Sequence, residues 1–333
     1  MAETKLAKIP VASLEGAAQE KEAGETNNIE KATGQWTLVW RRLRRHKLAM
    51  GGMAVILVIV LLSWLAPWIA PYAYAEQDLK LRHAAWFTPG QASKPMHILG
   101  TDGLGRDTLT RILYAGRISL GVALIVTLLT VLIGTMVGAV AGAFGGGLDT
   151  VLMRFTDIML SMPDLPLLLI LSSSLRQFTT LQNFLGSNIS VIIIIFVLVI
   201  FGWMGNARLV RGSVLSLRSQ EFVEASRALG ASQSRIIFKH LVPNSLAPII
   251  VSATLGFGAV IIAESALSFL GFGIMPPVPT WGNMLNEARG APQIGYTLFT
   301  QTLAPGLCIF LTVLSINFIG DGLRDALDPR LKL

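Results

Sequence analysis

Ser119-Leu-Gly-Val-Ala-Leu-Ile-Val-Thr-Leu-Leu-Thr-Val-Leu-Ile-Gly-Thr-Met-Val-Gly-Ala-Val-Ala-Gly-Ala-Phe144 contains no charged side chain. A hydrocarbon layer is crossed by about 20 apolar residues in a helix. The stretch lacks the strict alternation of a barrel strand, so it is expected to be a membrane-spanning helix with all its backbone groups bonded internally. Gly134, Gly138 and Gly142 recur every fourth residue, a spacing that lets a neighbouring helix approach closely. Packing within the chain is the favoured use of that stripe, ahead of a contact between subunits.

Working outward, similar runs lie at about Leu48 to Ile69, Val151 to Leu175, Ser190 to Trp203, Pro248 to Leu270 and Leu303 to Ile319. The expected architecture is an all-α polytopic membrane bundle of about six helices. The third run is interrupted by Arg154, Asp157, Pro163 and Asp164, and the fourth is short. Arg41, Arg42, Arg44, Arg45 and Lys47 precede the first run and should hold the N-terminus in the cytoplasm. Six spans then place both termini inside, with about nineteen Lys and Arg on that side against about eight outside. The resulting divisions are a cytoplasmic tail at 1–40, a first span with its basic flank at 41–70 and an external loop with a short helix at 71–118. A core follows at 119–320, with a large cytoplasmic loop at 206–244, and then a cytoplasmic end at 321–333.

Composition agrees. The chain of 333 residues is 52% hydrophobic and 14% charged, whereas soluble domains carry about 25% charge. The net charge of +7 lies beside apolar runs and forms no basic face interleaved with aromatics, so nucleic acid is not expected as a partner and membrane lipid is. Cys308 is the single cysteine, and His46, His83, His97 and His240 show no metal-ligand spacing. No GxxxxGK[ST] sequence occurs, so no P-loop is present to cradle ATP. Gly103 and Gly105 do not fit GxGxxG, and no strand precedes them.

The loop from Asn206 to Asn244 carries the most information. Phe222, Val223, Ala225, Ala228 and Leu229 have helical spacing, Gly230 can turn the chain with a positive φ, and Ile236, Ile237 and Leu241 begin a second stripe. Two short helices meeting at a glycine elbow are expected, with Glu224, Arg227 and Arg235 around an apolar ridge. From composition alone, such an elbow suits either docking in a partner's groove or lying on the membrane surface.

Glu224-Ala225-Ser226, Gly230 and Leu241-Val242-Pro243 resemble the EAA loop of ABC-importer permeases, with Ser226 in place of the second alanine and Val242 where leucine is common. The segment Leu99 to Leu120 is similar to the signature before the second span in C-type permease subunits of dipeptide, oligopeptide and nickel importers. Met153 to Asp157, Leu267 to Gly271, Pro276 to Met284 and Gly320 to Arg330 are also family-like.

The resemblance implies a type I ABC-importer permease fold in which the loop is a coupling helix. Glu224 would bond to an ATPase, Ala225 and Ser226 would keep the contact face narrow, Gly230 would make the turn, and Arg227, His240 and Pro243 would belong to the elbow. It also implies a second homologous permease, two ATP-binding subunits that hold ATP and Mg, and an external or periplasmic solute-binding protein. The chain itself would bind no cofactor and catalyse no reaction. Short peptides are the expected cargo, and nickel or glutathione are alternatives within the same family. The stretch from Gln177 to Asn188 has no clear counterpart.

Three further expectations rest on individual charges. Glu264 lies within the fifth run, where an ionisable group either faces a translocation path or bonds to hydroxyls such as Ser265 and Ser268. Arg154 and Asp157, one turn apart, are expected to pair, and Asp107 is expected to cap a helix from Thr108 to Tyr114 and pair with Arg111. Glu264 and Asp164 also keep a different class in view, an ion-coupled transporter or channel working alone. That class leaves the elbow without a role. An embedded enzyme finds no nucleophile with a base or metal.

Overall fold

A computed structural model describes residues 35–91, 94–177, 189–292 and 295–328. The tail up to residue 34, most of the stretch from Gln177 to Asn188 and residues 329–333 lie outside the described residues. The helices are α1 (Gln35–Arg45), α2 (Lys47–Trp64), α3 (Thr108–Phe144), α4 (Gly146–Ser161), α5 (Asp164–Arg176), α6 (Ile189–Gly202), α7 (Met204–Arg218), α8 (Glu221–Ala228), α9 (Gln233–Ile236), α10 (Leu246–Phe269), α11 (Trp281–Glu287) and α12 (Ala304–Leu327). The described residues contain no strand beyond two isolated bridges, Thr88 with His97 and Thr101 with Asp107.

Five helical runs are long and apolar enough to cross a bilayer, and α4 with α5 makes a sixth if the pair is taken together. The bundle shows the inverted surface this requires. Leu57, Val58 and Leu61 on α2 and Leu124, Leu128 and Leu132 on α3 are exposed to the surroundings, where lipid costs them nothing. The inside is lined by Val122 and Val126 of α3, Ile194 and Val197 of α6, Leu168 of α5 and Leu267 of α10. The helix α12 packs between α2 and α10.

The glycine stripe is used within the chain. A Cβ on Gly134 would lie 2.6 Å from the Trp203 carbonyl oxygen, one on Gly138 would collide with that of Ala207, and one on Gly142 would lie 2.8 Å from Val214 Cγ1. The helix α7 therefore runs along α3 at backbone contact. This explains why the fourth span is longer than its apolar run: Ile189–Arg218 is nearly continuous helix, and the free loop begins after Arg218 instead of at Asn206. Beyond the end of α3, Arg211 also ties α7 to α4 through a bidentate bond to Asp149, at 2.5 and 2.7 Å.

Three sequence expectations need correction. Asp157 pairs with Arg208, at 2.6 Å, and not with Arg154, because α7 lies beside α4 and supplies the nearer guanidinium. The third span is two helices bent by 89° at Met162–Pro163; Pro163 has no N–H to continue α4. The short outer helix is the start of α3, capped by Asp107 Oδ2 accepting from Thr110 N at 2.8 Å. Asp107 spends its other oxygen on His97 Nδ1, at 2.9 Å, so Arg111 turns to Asp102 and Glu287 instead.

That last arrangement fastens the loop between α2 and α3 to α11. Asp102 accepts from Arg106 Nε at 2.7 Å and from Arg111, while Glu287 accepts from Arg106 Nη2 at 2.5 Å and from Arg111 Nη2 at 3.2 Å. Both arginines are buried. Burial alone raises the Asp102 pKa, but Arg111, Arg106 and the backbone N–H groups of Arg106 and Leu104 outweigh it and hold the carboxyl below the ordinary carboxylate range.

Two outcomes follow for stability. Gly138→Val should lower the stability of the solubilised protein by about 3 kcal/mol, the upper end for overpacking, whereas Gly212→Ala on α7, which meets open space, should leave its melting temperature unchanged or raised. Because the Asp102 value is depressed, its stabilising contribution is complete above the free-carboxylate value of about 3.9 and is lost as pH falls through the lower folded value. Asp102→Asn should therefore melt lower than wild type at pH 7, and the gap should narrow on acidification below roughly pH 4.

Candidate coupling site

After α7 ends at Arg218, the chain leaves the bundle and returns at α10. The helix α8 starts after Gln220, with Glu221 and Glu224 in its first turn and Arg227 in its last, the charge order that a helix dipole favours. It stops at a left-handed glycine: Gly230 has φ +78°, Gly230 N donates to Arg227 O at 3.0 Å and Ala231 N to Ser226 O at 3.1 Å. A Cβ at Gly230 would meet nothing within 4 Å, so the turn needs glycine for its backbone angle and not for space.

Ser232 then caps α9, accepting from Arg235 N at 3.4 Å. The chain widens through a π-helical turn, Ile237–Leu241, before Pro243 opens the next helical piece.

The elbow has two faces. Inward, Val223 (0% exposed), Ile236, Ile237 and Leu241 pack on Val210 and Val214 of α7, Ala139 and Ala143 of α3 and Ile249 of α10. Gln233 Nε2 adds a bond to the Ala143 carbonyl, at 3.1 Å. Outward, Leu229 is 88% exposed, and Phe222 and Phe238 are exposed as well. Glu224, Ala225 and Arg227 are exposed on the same short helix, Ser226 bonds back to the Phe222 carbonyl at 2.7 Å, and the His240 ring lies 6.4 Å from that of Phe222. Pro243 is exposed at the far end of the elbow.

Thus the residues expected to act together lie on one protrusion. It is bolted to α3, α7 and α10 by a dry apolar seam, so a force applied to the outer face reaches those helices through packed side chains.

Glu264 is placed elsewhere. Its carboxylate is 0% exposed and bonds to Ser268 Oγ at 2.7 Å, Ser119 Oγ at 3.3 Å and Ser265 Oγ at 3.5 Å. Ser119 also accepts from Trp281 N at 3.4 Å, and Ser268 from Ile274 N at 3.1 Å. The carboxylate is therefore inside the protein and makes the hydroxyl bonds that were one of its two expected uses. It joins α3, α10 and the start of α11.

Sequence reading missed the Asp102–Arg106–Arg111–Glu287 cluster, whose partners lie up to 181 residues apart. Asp102, Arg106 and Arg111 were visible only within the family-like segment from Leu99 to Leu120, with Arg111 assigned to Asp107. No group of three or more His, Cys, Asp or Glu suited to a metal occurs among the described residues.

Comparison with known proteins gives two family matches. Residues 134–333 match the binding-protein-dependent transport system inner membrane component, and residues 34–87 match the N-terminal TM domain of oligopeptide transport permease C. The chain is 41% identical over 301 residues to the dipeptide transport system permease protein of Alkalihalophilus pseudofirmus, covering 90% of this chain and 92% of that one. It is 36% identical over 314 residues to the oligopeptide transport system permease protein of Bacillus subtilis, covering 93% and 95%. A glutathione transport system permease protein of Salmonella typhimurium is 39% identical over 305 residues, covering 89% and 91%. Among solved structures, an inward-facing MetNI methionine ABC transporter aligns with a TM-score of 0.50 and 19% identity over 66% of this chain and 96% of that one, a likeness of fold.

The left-handed turn is open to test. Gly230→Ala should destabilise the elbow by about 1 kcal/mol and Gly230→Val by more. In both variants amide exchange should rise across residues 221–245 and remain unchanged in α3 and α7; wild-type exchange in the elbow would refute the role given to Gly230.

Proposed function

The chain belongs to the binding-protein-dependent transport system inner membrane component family, and from that premise we propose that it is a permease subunit of an ATP-driven importer of short peptides. Two observations support the cargo: the dipeptide and oligopeptide permeases among its relatives, and the coverage of nearly their whole length. The glutathione permease is itself named for a tripeptide-sized cargo.

The chain pairs with a second, homologous permease, and two ATPases hold ATP and Mg. A solute-binding protein delivers the peptide on the opposite side. The elbow faces the cytoplasm, as do both termini.

The observation that carries this reading is the exposed ridge of the elbow. A leucine 88% exposed at the end of a short helix fixed to three spans, with exposed Phe222 on that helix and exposed Phe238 in the π-helical turn, is an apolar plug with no socket among the described residues. An ATPase groove supplies the socket. Leu229 and Phe238 enter it, Glu224 accepts a hydrogen bond at its rim, Ala225 and Ser226 let the backbone come close, and Arg227, His240 and Pro243 border the contact.

When ATP draws the ATPases together, the two elbows follow, and α7 and α10 move with them because Val223, Ile236 and Leu241 leave no slack. The equilibrium between inward-facing and outward-facing states shifts only by the difference in fit between ATPase states. Alternating access follows, with hydrolysis resetting the cycle.

Leu229→Asp should weaken ATPase binding to the assembled permease by at least tenfold, about 1.4 kcal/mol, and abolish peptide-stimulated ATP hydrolysis while leaving the amount of permease in the membrane unchanged. Full stimulation in this variant, measured in proteoliposomes with loaded binding protein, would refute the plug. The retention of radiolabelled dipeptide, glutathione or nickel by the associated binding protein tests the cargo.

A further inference from the structure

Besides the elbow, the bundle holds a cavity of about 250 Å³ where the third span breaks. Its wall is formed by Thr127 of α3, Asp164 at the start of α5, Asn206 of α7 and the small-residue face of α10 at Gly256, Ala259 and Ala263. Gly202, Asn206, Gly256 and Ala259 also line a larger cavity of about 810 Å³, which reaches Ala247 and Pro248 at the elbow end of α10. The two spaces adjoin along these four residues. At 1.5 Å per residue, the smaller cavity lies roughly 10 to 26 Å along α10 from its elbow end, deep within the span.

Three polar residues at this depth keep bonding capacity that the fold leaves open. Asp164 is exposed, its Oδ1 does no more than accept from its own helix at Leu165 N, 2.8 Å away, and it forms no ion pair among the described residues. Thr127 is 7% exposed, yet its hydroxyl has no hydrogen-bond partner among the described residues. Its neighbour Thr130 bonds back to the Thr127 carbonyl at 3.0 Å, the usual outlet for a helical threonine, which Thr127 does not take. Asn206 spends its carbonyl on Ser252 Oγ, at 2.6 Å, and its NH2 group has no partner among the described residues.

A carboxylate inside a span is retained where it meets a cation or water, and a broken span is tolerated where it borders a cavity. A carboxylate with two neutral donors around a space of this size matches a primary ammonium followed by peptide carbonyls.

We propose that this cavity is a substrate station on the translocation path, in which Asp164 receives the terminal ammonium of a peptide and Thr127 and Asn206 donate to its first carbonyl groups. The proposal rests on the peptide-importer reading above. Glycine and alanine on α10 leave room for side chains of different size, so the station holds the backbone end that all such cargo shares and leaves the rest free.

Two measurements on the assembled importer in membranes test it. In a Cys308→Ser background, Ala259→Cys should be modified about tenfold faster by a cationic methanethiosulfonate than by an anionic one, and Asp164→Asn should remove the preference. Absence of labelling by either reagent, or a preference that survives Asp164→Asn, would overturn the station. In the second arm, Asp164→Asn should reduce dipeptide uptake about tenfold while ATP hydrolysis stimulated by loaded binding protein stays near wild type, and Asp164→Glu should restore most uptake. Uptake within twofold of wild type in Asp164→Asn, or a proportional loss of ATPase stimulation, would also overturn it. Failure of the wild-type importer to take up dipeptide would instead overturn the peptide reading, and the reagent preference would still report on the acidic cavity.

Discussion

The bundle depends on the backbone contact between α3 and α7. Lipid offers no hydrophobic drive for one apolar helix to seek another, so association rests on close packing and on the polar bonds such packing permits. Gly134, Gly138 and Gly142 provide that closeness, and just past the end of α3 Asp149 of α4 bonds to Arg211 of α7. Once α7 is laid along α3, its end at Arg218 and the end of α3 at Phe144 come together, and the elbow has a floor to pack on. The long fourth span, the partner of Asp157 and the seat of Val223 all follow from this contact.

The same contact separates rigid from free surface. The inner face of the elbow is sealed against α3, α7 and α10, whereas its outer face carries exposed leucine and phenylalanine. On the opposite side of the bundle, a loop with little regular structure is held by buried charges: Asp102 and Glu287 grip Arg106 and Arg111, and His97 braces Asp107. A loop of that length would be mobile without such fastening, and an ion cluster is costly to break once buried because each partner removed strands the others. Between these ends, Glu264 ties α3, α10 and α11 through hydroxyls, two of which, on Ser265 and Ser268, are its near neighbours in sequence.

Local patterns in the sequence carried much of this. Apolar length marked the spans, the four-residue glycine period marked a packing face, and the order of apolar positions around Gly230 marked two helices and their turn. Those signals are local because helix formation and membrane burial are decided within one segment. The errors arose where distant segments decide. Asp157 has Arg154 one turn away in sequence, but Arg208 is the one that reaches it, and Arg111 is claimed by Glu287 across 176 residues. The station at Asp164 was legible only as an interruption: the residues that make it a cavity come from four other helices, and no spacing within the chain links them.

The exposed elbow ridge and the sparsely covered α10 also bear on how such a chain survives in a cell. By itself the molecule leaves leucine and phenylalanine uncovered on the elbow and small residues uncovered on α10, and bare apolar surface of this kind is a liability to aggregation until something covers it.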